Sequence, residues 1–158
     1  WVAFVGLKES RPYEIFTGIA DEEIFPIPKS IVKGKIIKIN DEDGNTRYDF
    51  QYTDKIGYKK NIEGLSHMFK PEFWNYAKLI SGVLRHEMPI QDVVNLVSSL
   101  KLDSESINNW KNGVESALKK YIPNGTKTKG KCGECGSDTL VYEEGCLICN
   151  DCGSSKCG

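Results

Sequence analysis

Along the first part of the chain apolar residues alternate with polar ones, and from Pro71 onward they recur every three or four positions instead. The alternation is clearest in VAFV, PYEIFTG, KGKIIKIN and TRYDFQYT. These stretches are rich in β-branched and aromatic residues and predict strands over about 1–60. In TRYDFQYT, Tyr48, Phe50 and Tyr52 share one face and Arg47, Asp49 and Gln51 the other, the pattern of a strand buried on one side. DEDGN, between KIIKIN and TRYDFQYT, predicts a hairpin because Asp43-Gly44 supplies the positive φ of a tight turn. LKESRP predicts a second hairpin, joining VAFV to PYEIF, whereas the two prolines of EIFPIPKS predict an irregular or edge connection.

After Pro71 the rhythm is helical. Phe73, Trp74, Ala77, Ile80 and Leu84 predict an amphipathic helix from Pro71 to about His86, with proline in its first turn. A shorter helix opens at Pro89 and carries Val93, Val94, Leu96, Val97 and Leu100. A third begins at the SES cluster, where Asp103 or Ser104 can cap it, and its stripe is Ile107, Trp110, Val114, Leu118 and Ile122, with Pro123 as its stop. The aromatic residues in these stripes are read as core packing. PNGTKTKGK then follows without an apolar residue and reads as a flexible linker. Ten such residues span roughly 18 Å on average and at most about 35 Å stretched. The predicted class is therefore α+β: antiparallel hairpins and a small helical bundle (helices about 71–122) in a body of residues 1–122, a linker at 123–131, and a tail at 132–158.

Composition narrows the function classes. With 39% hydrophobic and 27% charged residues, the 158-residue chain reads as an ordinary soluble globular protein. Its 21 Lys and Arg balance 22 Asp and Glu, so no overall field recruits nucleic acid or an anionic membrane. No apolar run approaches the roughly 20 residues of a membrane span, and the run in WVAFVGLKES is too short for a signal peptide. A cytoplasmic location without nucleic-acid or membrane partners is expected. A strand signal that begins at Trp1 with no polar lead-in reads as a piece of a longer chain.

Residues 1–131 contain no cysteine and offer little catalytic chemistry. His86 stands near a helix end beside Arg85 and Glu87, where a solvated or capping role is expected. His67 has no acid or nucleophile at matching spacing, and Asp21, Glu22 and Glu23 read as a solvated loop. Gly6, Gly18 and Gly34 form no phosphate-binding loop. An independent active site in this region is not expected.

All six cysteines lie in the tail. A disulfide-stabilised secreted domain would spread them through the fold, so secretion is disfavoured. Cys132-Gly-Glu-Cys135-Gly-Ser and Cys149-Asn-Asp-Cys152-Gly-Ser repeat one pattern, which is that of zinc knuckles. In each, two thiolates reach one ion while the following Gly relieves crowding as backbone amides turn toward the sulfurs. Between them DTLVYEEGCLI predicts a short hairpin turning near Glu144-Gly145, which makes the tail a zinc ribbon. Four ligands complete the shell, so two cysteines are spare, and two partitions stand. Either Cys132, Cys135, Cys149 and Cys152 bind zinc and Cys146 and Cys157 are free, or Cys132, Cys135, Cys146 and Cys149 bind and Cys152 and Cys157 are free. The matched knuckles favour the first. Cys157 is free in both, and the cation of Lys156 beside it favours a reactive thiolate. Two spare cysteines on a movable tail suggest a dithiol shuttle.

RPYEIFTG, NYAKLISGVLRHEMPIQDVVNLVSSL and CGECGSDTLVYEEGCLICNDCGSSKCG, in that order, resemble the C-terminal part of the large catalytic chain of ribonucleotide reductases. The tail is most similar to that of the adenosylcobalamin-dependent class. The resemblance covers most of the chain from Arg11 on and is weakest between Ile19 and Phe69. It implies a parent enzyme that reduces ribonucleotides to deoxyribonucleotides by radical chemistry in an α/β barrel, with the radical site upstream and this piece inactive alone. It also implies that a mobile C-terminal cysteine pair re-reduces the active-site disulfide and is itself reduced by thioredoxin or a similar donor. Cys146 and Cys157, or Cys152 and Cys157, would fill that role. The competing reading is a zinc-ribbon interaction module without redox chemistry. Lys127, Lys129 and Lys131 could touch phosphate, but Glu134, Asp138, Glu143, Glu144 and Asp151 make the ribbon acidic and disfavour a nucleic-acid surface.

Overall fold

A computed structural model describes residues 1–19 and 25–157, so Asp21, Glu22 and Glu23 lie outside the described residues, as does the side chain of Ile107. The architecture is α+β, as the change of rhythm at Pro71 predicts. Strands β1 (Val2–Lys8) and β2 (Arg11–Gly18) form the first antiparallel hairpin. Glu9 and Ser10 turn it with φ of 52° and 67°. Two successive positive φ values suit the twist of paired strands. Strands β3 (Lys35–Asn40), β4 (Thr46–Thr53) and β5 (Lys59–Ile62) form a three-stranded antiparallel sheet in that order. The Asp41 carboxylate accepts the Asn45 amide at 2.7 Å and closes the expected β3–β4 turn. Strand β5, KKNI, has no alternation to announce it. It forms because the Asp54 carboxylate accepts the Ile56 and Tyr58 amides, at 3.0 and 2.9 Å, and so folds the chain back onto β4.

A short 3₁₀ turn (Leu65–Met68) leads into α1 (Pro71–Arg85), α2 (Ile90–Ser99) and α3 (Glu105–Lys119). The third helix stops earlier than Pro123, but two further turn hydrogen bonds, Tyr121 N–H to Leu118 and Ile122 N–H to Lys119, keep Ile122 in the core. Helix α1 lies on β2, and Ser81 reaches into the strand. Its hydroxyl accepts from the Ile15 amide at 3.0 Å and donates to the Ile15 carbonyl at 3.2 Å. Successive residues of β2 point to opposite sides and serve two cores. Ile15 joins Phe73, Leu84, Val93, Trp110 and Leu118 among the helices. Phe16 joins an aromatic group with Phe50, Tyr52 and Phe69 under the three-stranded sheet. The Trp110 indole donates to the Thr17 hydroxyl at 2.6 Å and ties α3 to the same strand.

The tail forms a second three-stranded antiparallel sheet, β6 (Leu140–Glu143), β7 (Cys146–Cys149) and β8 (Ser155–Lys156), with β7 in the middle. Residues 123–131, expected as a free linker, instead run along β6. Gly125 N–H donates to Tyr142, Thr128 N–H to Leu140, and Tyr142 N–H to Thr126, all at 2.8–3.1 Å. Gln91 of α2 also holds the Lys127 carbonyl at 2.9 Å. A sheet edge is paired through backbone groups that every residue carries, so polar composition does not distinguish such a segment from a solvated linker. The ribbon is docked as well. Tyr142 is buried with the helical core and Leu147 packs against it.

Candidate metal centre and cysteine pair

The two knuckles repeat in space as they repeat in sequence. The Cys132 carbonyl accepts the Gly136 amide at 2.9 Å, and the Cys149 carbonyl accepts the Gly153 amide at the same distance. Gly136 and Gly153 have φ of 75° and 72°, a region that side chains with a Cβ adopt only at a cost. Each turn then directs backbone amides at its first sulfur. Those of Glu134 and Cys135 reach Cys132, and those of Asp151 and Cys152 reach Cys149.

These turns bring the sulfurs of Cys132, Cys135, Cys149 and Cys152 within 4.8 Å of one another. Cys132 Sγ lies 3.6 Å from Cys152 Sγ, and Cys135 Sγ 3.6 Å from Cys149 Sγ. A tetrahedral ion with metal–sulfur bonds near 2.3 Å needs sulfur separations of about 3.8 Å, so the donor set fits a closed four-thiolate site. The cluster can hold a metal ion, and its soft ligands suit a thiophilic one. Cys132 and Cys149 are buried, while Cys135 and Cys152 face outward.

Electrostatics give a reason for an ion. The Ser154 hydroxyl and the Cys135 and Glu134 amides hold the Cys132 thiol down to about 6. The Cys152 and Asp151 amides likewise lower Cys149. The Ser137 amide pulls Cys135 the same way, but the Cys152, Cys149 and Cys132 sulfurs and burial outweigh it and push that thiol up to about 12. Four thiols this close cannot all ionise without a compensating cation, and a bound metal supplies one.

Ser154 was not singled out by the sequence. Its hydroxyl lies 3.2 Å from Cys132 Sγ and 3.3 Å from Cys152 Sγ. Its counterpart in the first knuckle, Ser137, turns instead to Thr139 at 2.9 Å and to Asp151. The signal was present in the repeated Gly-Ser, but which serine meets a sulfur depends on how the two knuckles face each other.

Cys146 and Cys157 are joined in a disulfide outside the cluster. They stand opposite each other one step beyond the Leu147–Lys156 pair of the β7–β8 ladder, with Cα atoms 4.4 Å apart. The four sulfurs of the cluster are those of Cys132, Cys135, Cys149 and Cys152, and Cys146 and Cys157 stand apart from it. Cys152 belongs to the four-sulfur cluster and is not beside Cys157, and Cys146 lies at the far end of β7 from Cys149. Cys146 also sits where the ribbon meets the body. The adjoining Gly145 has φ of 81° and approaches the backbone of Lys119 and Lys120 so closely that an added Cβ would lie 3.2 Å away, and the Glu144 amide donates to the Asn124 side chain at 2.9 Å.

Neither histidine joins this site. His86 closes α1, its amide donating to the Gly82 carbonyl at 3.3 Å while the next amide, that of Glu87, donates to the Leu84 carbonyl at 3.1 Å. His67 lines an open groove with Tyr48, Trp74 and Lys78. No helix among the described residues is long and apolar enough to cross a membrane.

Comparison with curated proteins and with solved structures gives no significant match. A family model described as NrdJ homologue C-terminal domain matches residues 1–123, which takes in both hairpins and all three helices and stops before Cys132. The body beneath the cysteine ribbon thus identifies the chain as a member of that family, the C-terminal part of an NrdJ-like, cobalamin-dependent ribonucleotide reductase.

Proposed function

We propose that this chain is the reductant-handling end of a ribonucleotide reductase. In this reading the body, residues 1–122, associates with the catalytic barrel of the same enzyme, residues 123–131 connect it to the ribbon, and residues 132–158 do the thiol chemistry. Cys132, Cys135, Cys149 and Cys152 hold zinc, which keeps four thiolates out of redox chemistry and folds a segment too small for its own core. Cys146 and Cys157 cycle between dithiol and disulfide. They carry reducing equivalents from thioredoxin or a similar dithiol donor to the disulfide left in the active site after each turnover. Adenosylcobalamin would supply the radical in the parent enzyme, and no residue here is assigned to it. With no cysteine in residues 1–131, this piece has no thiyl radical site in its body and is inactive in ribonucleotide reduction by itself.

The observation that supports this reading is the division of the six cysteines, four in one cluster and two in a disulfide outside it. The test is the metal content and reactive-thiol count of the reduced native protein. About one zinc per chain and two fast thiols that close into a mutual disulfide are expected. One zinc with thiols that never pair would leave a structural ribbon and favour the interaction module.

A further inference from the structure

We propose that the two thiols of the pair have unequal and fixed roles: Cys157 is the attacking thiol and Cys146 the resolving one. The proposal rests on the shuttle reading above and follows from where the two residues stand. Cys146 begins the central strand of the ribbon, paired with Glu143 on one side, while Cys149 at the end of the same strand belongs to the metal cluster. The hairpin turn before it is seated on the end of α3 through Gly145 and Asn124, and the flanking Tyr142 and Leu147 pack into the body. Cys146 is therefore held from three directions and is only partly exposed.

Cys157 has none of these restraints. It is exposed, and it follows the two-residue edge strand β8, whose residues are also exposed. Apart from the cross-link, only the two ladder pairs Leu147–Lys156 and Ile148–Ser155 join this strand to β7. The chain is firmly placed as far as Ser154, whose carbonyl accepts the Cys149 amide at 2.9 Å and whose hydroxyl meets two cluster sulfurs. Once the disulfide is reduced, the arm beyond Ser154 can lift from β7. Three residues of extended chain carry the Cys157 sulfur about 10 Å from its resting place. The moving part is this arm, not the whole ribbon.

The exchange then runs in one order. The Cys157 thiolate attacks one sulfur of the acceptor disulfide, a mixed disulfide forms, and the acceptor's other sulfur leaves as a thiolate that takes a proton from solvent. The Cys146 thiolate next attacks the Cys157 sulfur, forming the Cys146–Cys157 bond and releasing the second acceptor thiol. The acceptor gains two electrons and two protons, and the pair loses them. An external dithiol restores the pair by attacking the exposed Cys157 sulfur, with Cys146 as the leaving group.

The test uses the reduced, zinc-loaded chain and Ellman's aromatic disulfide. In Cys146→Ser the remaining Cys157 should react as fast as the fast phase of the wild type and stop at a stable mixed disulfide. In Cys157→Ser the remaining Cys146 should react roughly tenfold or more slowly. Zinc content checks that each ribbon is folded. Limiting iodoacetamide on the wild type, read by peptide mass, should label Cys157 ahead of Cys146 by a similar ratio and needs neither variant. If Cys146 reacts as fast as Cys157 or faster, the order is overturned while the shuttle stands. If the wild-type pair never closes into a disulfide, the shuttle reading falls and the proposal with it.

Discussion

Asp49 lies on the face of β4 that the alternation in TRYDFQYT assigns to solvent, yet it is only 1% exposed. Its carboxylate accepts the Gly64 amide at 2.9 Å and forms an ion pair with Arg47, at 2.9 Å from Nε. Burial alone would raise its pKa, but the Gly64 amide, Arg47 and Asn61 outweigh it and hold the carboxyl below its ordinary 3.8. The folded value lies below the unfolded one. The stabilisation is therefore complete above pH 3.8 and is lost as pH falls through the lower folded value. Asp49→Asn should cost about 2 kcal/mol near neutral pH, read from urea unfolding, and the gap from wild type should close in strong acid. A gap that persists at the lowest pH would mean that shape, not charge, holds the Gly64 loop. Periodicity marked the position correctly as polar and on the far face. It could not show that the chain folds over it, because the covering loop comes from residues 63–64, beyond the strand itself.

At the scale of elements, the joint between ribbon and body is the feature the sequence did not disclose. The 123–131 segment reads as a flexible linker, and DTLVYEEGCLI reads only as a short hairpin, with nothing to say what its apolar residues pack against. In the fold Tyr142 is 5% exposed, and it leaves the ribbon to join Trp110, Val114 and Leu118 in the body. Tyr142→Ala should therefore destabilise the body by about 3 kcal/mol, the usual cost of removing a buried aromatic side chain. Its zinc content should be unchanged, since the knuckle turns are local. Equal stability of variant and wild type by thermal melting would show that the ribbon is free of the body. The hairpins and helices, by contrast, were legible from rhythm and turn residues. Strands β5 and β8 were missed, β5 because its pairing with β4 is set by the Asp54 turn and not by any pattern of its own, and β8 because two residues are too few to carry a pattern.

For the whole molecule, docking would make an ion held at the four-sulfur cluster and the body partners in stability. A ribbon held by four thiolates unfolds when its ion is removed, and Tyr142 and Leu147 would then leave the shared core. For the proposed zinc-loaded chain, extraction of the ion by a chelator should lower the melting temperature of the helical body by about 5 °C, followed by circular dichroism in the helical band. A body that melts unchanged without metal would separate the two units. The family match covers the body and ends before the first cysteine.

What the sequence determined by itself is whatever depends on near neighbours along the chain. That includes the strand and helix rhythms, the Asp-Gly and Glu-Gly turns, the gathering of all six cysteines in the tail, and the two matched knuckles whose spacing lets thiolates meet one ion. Only the tertiary structure decided which two cysteines stand outside the cluster, because that depends on the β7–β8 register placing Cys157 opposite Cys146. It likewise decided that residues 123–131 pair with β6, that β2 feeds two cores, and that Asp49 is covered. Each of these rests on contacts between segments apart in the chain, and the strand pairings among them are made by backbone groups. Side-chain pattern carries no record of such contacts, since every residue offers the same amide and carbonyl.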